Sequence, residues 1–157
     1  MKQVTPFLWY NDQAEQAARF YVSLFKHSKV LSVTRNASEG TGPKGKVMTV
    51  RFRLNGQEFM AFNGGPRIKF TWAVSMFVTC KDQREVDRLW AKLVKGGKPS
   101  QCGWLQDKYG LFWQIIPRAL MEMIGHKDQA KAGRAVQAML KMVKIDVAKL
   151  RRAFDGE

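Results

Sequence analysis

The chain has 157 residues, 45% of them hydrophobic, which suits one compact domain or two small modules sharing a core. No apolar run approaches the ~20 residues of a membrane-spanning helix, and the opening MKQVTPFLWYND has no basic region leading into an apolar one, so a cytoplasmic protein without a membrane partner is expected. Lys and Arg outnumber Asp and Glu by 27 to 13, for a net charge of +14, but the cations are dispersed, which argues against nucleic acid as the main partner.

In chain order, residues 4–10 read as a strand, followed by a helix opening near Asp12 with Ala14, Ala17, Ala18, Tyr21, Leu24 and Phe25 at helical spacing. Extended segments follow at 29–35, 46–54 and 57–62, the last two joined by the hairpin dipeptide Asn55-Gly56. Between the first two lies the Gly-rich stretch SEGTGPKG (38–45), a mobile loop or a plain connection. A second strand at 74–79 and a helix at Gln83–Val94, with Val86, Leu89, Trp90, Leu93 and Val94 on one face, repeat the opening. Residues 98–105 and 111–116 close the second half as strands, with a turn at 107–110. Aligning RFYVSLF (19–25) with RLWAKLV (88–94) gives an offset of 69, and that offset also places 5–10 on 74–79. A duplicated strand–helix–antiparallel-strand unit is expected.

Beyond Pro117, Ala132, Ala135, Val136, Met139, Leu140 and Val143 recur at i, i+3, i+4 spacing through 128–142. Asp146 is placed to cap a further short helix ending near Phe154. The stripe on this tail is expected to dock on the sheet or on a second subunit. Cys80 and Cys102 occupy neither a CxxC nor a zinc-type spacing and are expected as reduced thiols.

Two tandem βαβββ modules resemble the vicinal oxygen chelate superfamily of glyoxalases, extradiol dioxygenases and bleomycin-resistance proteins. TPFLWYNDQAEQAARFY, GKVMTVRFRLNGQEFMAFNGGP, QCGWLQDKYGLFWQIIP and KAGRAVQAMLKMVKIDVAKL resemble its PhnB-like branch, often labelled 3-demethylubiquinone methyltransferase-like. The resemblance implies an α+β fold: a tandem glyoxalase-like domain at 1–117, with modules at about 1–65 and 70–117, and a C-terminal helical extension at 118–157. It implies a homodimer as well. A methyltransferase of the doubly wound type would place adenosylmethionine at a Gly-rich loop between a parallel strand and a helix, and Gly64-Gly65 and Gly96-Gly97 have no such flanks.

Metal-dependent relatives hold their ion with His and Glu from the first and last strands of each module. The resemblance places those four positions near Pro6, Ala61, Ala73 and Gln114, of which only the last has a ligating atom, and a weak one. No metal and no cofactor are therefore expected, and no catalytic residue is named. Gln114 is an amide on an apolar strand, which is either satisfied within the core or turned to a ligand. The same arrangement proposes a pocket between the modules lined by Trp9, Phe62, Trp72, Phe77 and Trp104, with Asn63, Arg67, Ser75, Cys102 and Gln114 as polar candidates. The branch usually shows GGPHFKF where this chain has GGPRIKF, so Arg67 replaces a titratable His and suits a carboxylate. The expected function is metal-free binding of a small, partly aromatic or anionic molecule. The alternatives are a metal-dependent lyase, isomerase or dioxygenase, a drifted or engineered pocket, and a non-specific nucleic-acid binder acting through the basic surface.

Overall fold

A computed structural model describes residues 4–40 and 42–157, so positions 1–3 and Thr41, within the loop expected at 38–45, lie outside the described residues. The chain divides into two compact units, Met1–Phe70 and Thr71–Glu157.

In the first unit, β1 (Phe7–Tyr10) leads into α1 (Ala14–Leu24), then β2 (Lys29–Arg35), β3 (Val47–Leu54) and β4 (Gln57–Asn63). The sheet order is β1-β4-β3-β2, with β1 parallel to β4 and the other pairs antiparallel. The parallel pair requires a crossover, and α1 is part of it. Side chains alternate across the sheet, so Leu8, Tyr10, Val50, Phe52, Phe59 and Ala61 are buried together with the apolar stripe of α1, Ala14, Ala17, Ala18, Tyr21 and Leu24. Three alanines on that stripe let the helix lie close to the strands. Asn55 and Gly56 both adopt positive φ, +44° and +88°, the backbone a two-residue hairpin turn requires.

The second unit repeats the plan with β5 (Met76–Cys80), α2 (Gln83–Val94), β6 (Lys98–Pro99), β7 (Trp104–Gln106) and β8 (Phe112–Pro117). Its order is β5-β8-β7-β6, again with one parallel pair, β5 and β8. Asp82 caps α2 by accepting a hydrogen bond from the Glu85 amide at 2.9 Å. Val86, Leu89 and Leu93 on the helix and Leu105, Trp113 and Ile115 on the strands are all buried.

The repeat is less regular than one offset of 69 implies. The helices begin 69 residues apart, at Ala14 and Gln83. The strands do not follow: Tyr10 and Cys80, the buried last residues of β1 and β5, are 70 apart. The turn before α2 is one residue shorter than the turn before α1. Because strand side chains alternate with period two, the single-residue difference exchanges the faces of every strand position aligned by the helix offset.

The extension contains three helices. α4 (Gln129–Leu140) and α5 (Val147–Asp155) follow the expectation, with Asp128 and Asp146 as their caps, whereas α3 (Arg118–Ile124) was not anticipated. Ile116, Leu120, Met123, Ala135, Ile145 and Leu150 form one buried cluster, so these helices share a core with the second sheet. The expected stripe is split: Ala132 and Ala135 are buried, while Leu140 and Val143 are 51% and 49% exposed. Backbone bonds complete the docking, the Cys102 and Gly103 amides donating to the Met142 and Val143 carbonyls, each at 2.8 Å. Gly103 has φ of +81°, and a Cβ there would stand 2.9 Å from Ile116 Cδ1 and 3.0 Å from the Ile115 carbonyl oxygen, so the turn that receives the extension requires glycine.

An ion pair ties the extension to α2 as well. Lys144 Nζ lies 2.6 Å from Asp87 Oδ1, and this bond, with a second from Gln83, lowers the Asp87 pKa. A carboxylate held below its unfolded value contributes stability that is present above that value and is lost as pH falls through the folded one. Both partners are substantially exposed, so the contribution is roughly 0.2–1 kcal/mol. Lys144→Met is therefore expected to lower the unfolding midpoint slightly at pH 7, with a smaller difference from wild type at an acid pH where the carboxylate is protonated. An equal difference at both pH values would show that the pair contributes nothing.

Candidate functional site

Each sheet has one face covered by its own helix; the other is open on the first sheet, and on the second it is covered by the extension at Ile116 and open away from it. On the second sheet, Phe77 is the register partner of Gln114, and Gln114 is the partner of Trp104. Partners across a sheet project to the same side, so these three form a row on the open face, opposite the buried Trp113 and Ile115. Phe112 lies on the same face two residues before Gln114 and is buried. Trp72 packs over it at 4.2 Å between ring centroids and lies 5.5 Å from Trp104, yet remains 51% exposed. Phe77 is 50% exposed. Gln114 Nε2 donates to Ser75 Oγ at 2.9 Å. Five candidates from the sequence, Trp72, Ser75, Phe77, Trp104 and Gln114, therefore stand together on one face.

The open face of the first sheet carries Phe7, Trp9, Met60 and Phe62, with Phe62 5.6 Å from Phe7 and 5.0 Å from Trp9. The Trp9 indole Nε1 donates to the Gly65 carbonyl at 2.9 Å. Asn63 takes a different role. It pairs with Tyr10 on the helix-covered side, its Oδ1 accepts from the Ala14 amide at 2.8 Å and its Nδ2 donates to the Val47 carbonyl at 3.0 Å. Gln13 supplies no side-chain cap to α1, so Asn63 caps that helix across space. Arg67 is exposed in the segment after β4, and Cys102 lies in the turn that receives the extension, with φ of +57°. Neither belongs to the aromatic row.

The residues do not fit the metal that the superfamily resemblance implies. The open-face positions of the first and last strands are Phe7, Trp9, Glu58, Met60 and Phe62 in one sheet and Phe77, Thr79, Phe112, Gln114 and Ile116 in the other. Ala61 is fully buried on the helix side. Glu58 is the one carboxylate among the open-face positions, and Arg53 and Arg51 clasp it at 2.7 and 3.0 Å, lowering its pKa through those hydrogen bonds and committing it to an ion pair. Among the described residues no three His, Cys, Asp or Glu side chains gather where an ion could be held. Of the two thiols, burial pushes Cys80 up to about 12, so it is protonated and inert at neutral pH.

A site that the sequence reading missed lies in the first unit. A cleft of about 730 Å³ opens between the start of α1, the loop between β2 and β3, and the segment after β4. Its walls are knit by their own bonds: Glu15 with Arg19 at 2.7 Å, Arg35 with the Gly45 carbonyl, and Asn36 with the Pro43 carbonyl. No local motif announces it, because its residues come from three separated stretches.

A family model described as 3-demethylubiquinone-9 3-methyltransferase matches residues 2–116. The chain belongs to that family. Among solved structures it is similar to a PhnB protein from Bacillus cereus that carries the same 3-demethylubiquinone-9 3-methyltransferase name. The two are 37% identical over 74% of this chain and 99% of that one, with a TM-score of 0.67. Protein PA1353 from Pseudomonas aeruginosa shares the fold at 19% identity, TM-score 0.61, over 74% of this chain and 98% of that one. A glyoxalase/bleomycin resistance protein from Albidiferax ferrireducens T118 is 16% identical over 74% and 98%, with a TM-score of 0.47. No curated protein matches the sequence. The family is thus PhnB-like, this chain carries a C-terminal helical part beyond the match, and among the described residues no helix is long and apolar enough to cross a membrane.

Proposed function

We propose that this PhnB-like chain binds a small, partly aromatic molecule on the open face of its second sheet, without a metal. The observation that carries this is the row Phe77, Gln114 and Trp104 beneath a half-exposed Trp72. Two large aromatic rings left half in water beside a hydrogen-bonding amide are what a ligand face offers before it is filled. None of Trp72, Ser75, Phe77, Trp104 and Gln114 titrates near neutral pH, so the arrangement favours binding over proton transfer. The methyltransferase name of the family has no counterpart in the fold: Gly64-Gly65 follows β4 with no helix after it, and Gly96-Gly97 joins α2 to β6.

Titrating the protein with aromatic carboxylates and with neutral bicyclic heteroaromatics is expected to shift its tryptophan emission. Trp72→Ala should weaken binding by about 1 kcal/mol, roughly fivefold, for the loss of one stacking ring. No emission change from either class would end the binding reading.

The protein is also proposed to form a two-fold dimer, supported by the exposed apolar side chains Phe7, Ile68, Val74, Leu140 and Val143. Light scattering should then return about twice the 18.0 kDa chain mass, and the chain mass alone would refute it.

A further inference from the structure

We propose that the Ser75–Gln114 pair reads the edge of a lactam, the adjacent N–H and C=O of a cis-amide within a planar ring. The inference rests on the binding reading above and narrows its ligand class.

The hydrogen bond from Gln114 Nε2 to Ser75 Oγ uses one amide hydrogen and one hydroxyl lone pair. Among the described residues it is the bond these two side chains make, so the Gln114 carbonyl oxygen, the Ser75 hydroxyl hydrogen and the second amide hydrogen are unspent. Turning the amide end for end would let the serine donate to the carbonyl oxygen instead. The unspent set would then be two amide hydrogens with lone pairs on both oxygens. In either arrangement the pair presents donors and acceptors side by side.

Both residues are half-buried, and Gln114 stands between Phe77 and Trp104 across the strands. A flat ligand laid against those rings sheds the water that would otherwise satisfy the pair, so its own edge must supply the missing partners. A carboxylate offers acceptors alone and leaves the Gln114 oxygen unpaired, while an amine offers donors alone. A cis-amide edge answers both needs at once, and its ring is the shape the flanking aromatics accommodate. The selectivity arises from the penalty of an unpaired polar group in a partly dry site.

Calorimetry with three matched rings tests this: 2-quinolone, which has the edge, N-methyl-2-quinolone, in which the donor is blocked, and quinoline. The wild-type protein should bind 2-quinolone about tenfold more tightly than N-methyl-2-quinolone, and Gln114→Met should bring the two together. Equal affinity of the wild type for both would overturn the lactam inference while leaving the binding reading intact. Discrimination that persists in a folded Gln114→Met protein would remove the assignment to this pair. Failure of all three rings to bind would overturn both readings. The wild-type comparison needs no variant, so a poorly folding substitution cannot obscure the answer.

Discussion

Asp107→Ala is expected to destabilise the second unit by about 3–5 kcal/mol, a large fraction of the ~5–15 kcal/mol that holds a domain together. Asp107 is 3% exposed, and both oxygens of its carboxylate accept hydrogen bonds. Its Oδ1 takes the Tyr109 amide at 2.8 Å and the Leu111 amide at 3.1 Å, and its Oδ2 takes the indole N–H of Trp113 at 2.8 Å. Trp113 is the largest fully buried side chain of the molecule, so removing the carboxylate strands its donor where no water can replace the partner. Asp107→Asn keeps one oxygen for the backbone amides but turns an NH₂ group toward the indole. It should therefore cost less than alanine, at about 1–3 kcal/mol. Pairing each change with Trp113→Phe isolates the indole term, because that substitution removes the donor and keeps most of the ring. Denaturant unfolding would decide the matter, and a loss below about 1 kcal/mol for Asp107→Ala would show that the turn finds other partners.

What the sequence discloses depends on how local the cause is. The Asn55-Gly56 turn was legible because two adjacent residues carry its whole conformational requirement. The caps at Asp128 and Asp146 act within their own first turns, and Asp146 was read as one from its position alone. The capping role of Asn63 was not read, because the helix it caps lies 49 residues earlier and no pattern within the strand records that. The single offset of 69 passed over one residue in the turn before α2, a small difference that strand alternation turns into an exchange of faces between the positions it aligns. α3 was legible but not read: Leu120, Met123 and Ile124 have helical spacing, and the Pro117 just before Arg118 fits a helix start. On the candidate site, the aromatic and amide residues were chosen by the family resemblance, while their gathering on one face follows from register, which the sequence does not state.

Ending the chain at Pro117 is expected to unfold the second unit rather than trim it. The family model ends at residue 116, so by that measure the helices α3–α5 are an addition to a core that relatives share. In this chain the core has come to rely on the addition. Ile116 on β8 is buried in a cluster otherwise supplied by Leu120, Met123, Ala135, Ile145 and Leu150, and truncation would return it to water. The amides of Cys102 and Gly103 would lose the Met142 and Val143 carbonyls, and Gln83 at the start of α2 would lose both the Ile145 carbonyl and the Val147 amide. Losing one buried leucine or isoleucine to alanine costs about 2–5 kcal/mol, so removing Leu120, Ile145 and Leu150 together exceeds what a small domain has in reserve. Leu150→Ala alone should fall within the single-residue range and leave the chain folded, which separates a packing loss from a collapse. Hydrogen exchange is the appropriate measurement, since it reads each unit separately. In the truncated chain the amides of β5, β7 and β8 should lose protection while those of β3 and β4 retain theirs. Full protection of β8 after truncation would mean that the second sheet holds itself and that the helices only cover it.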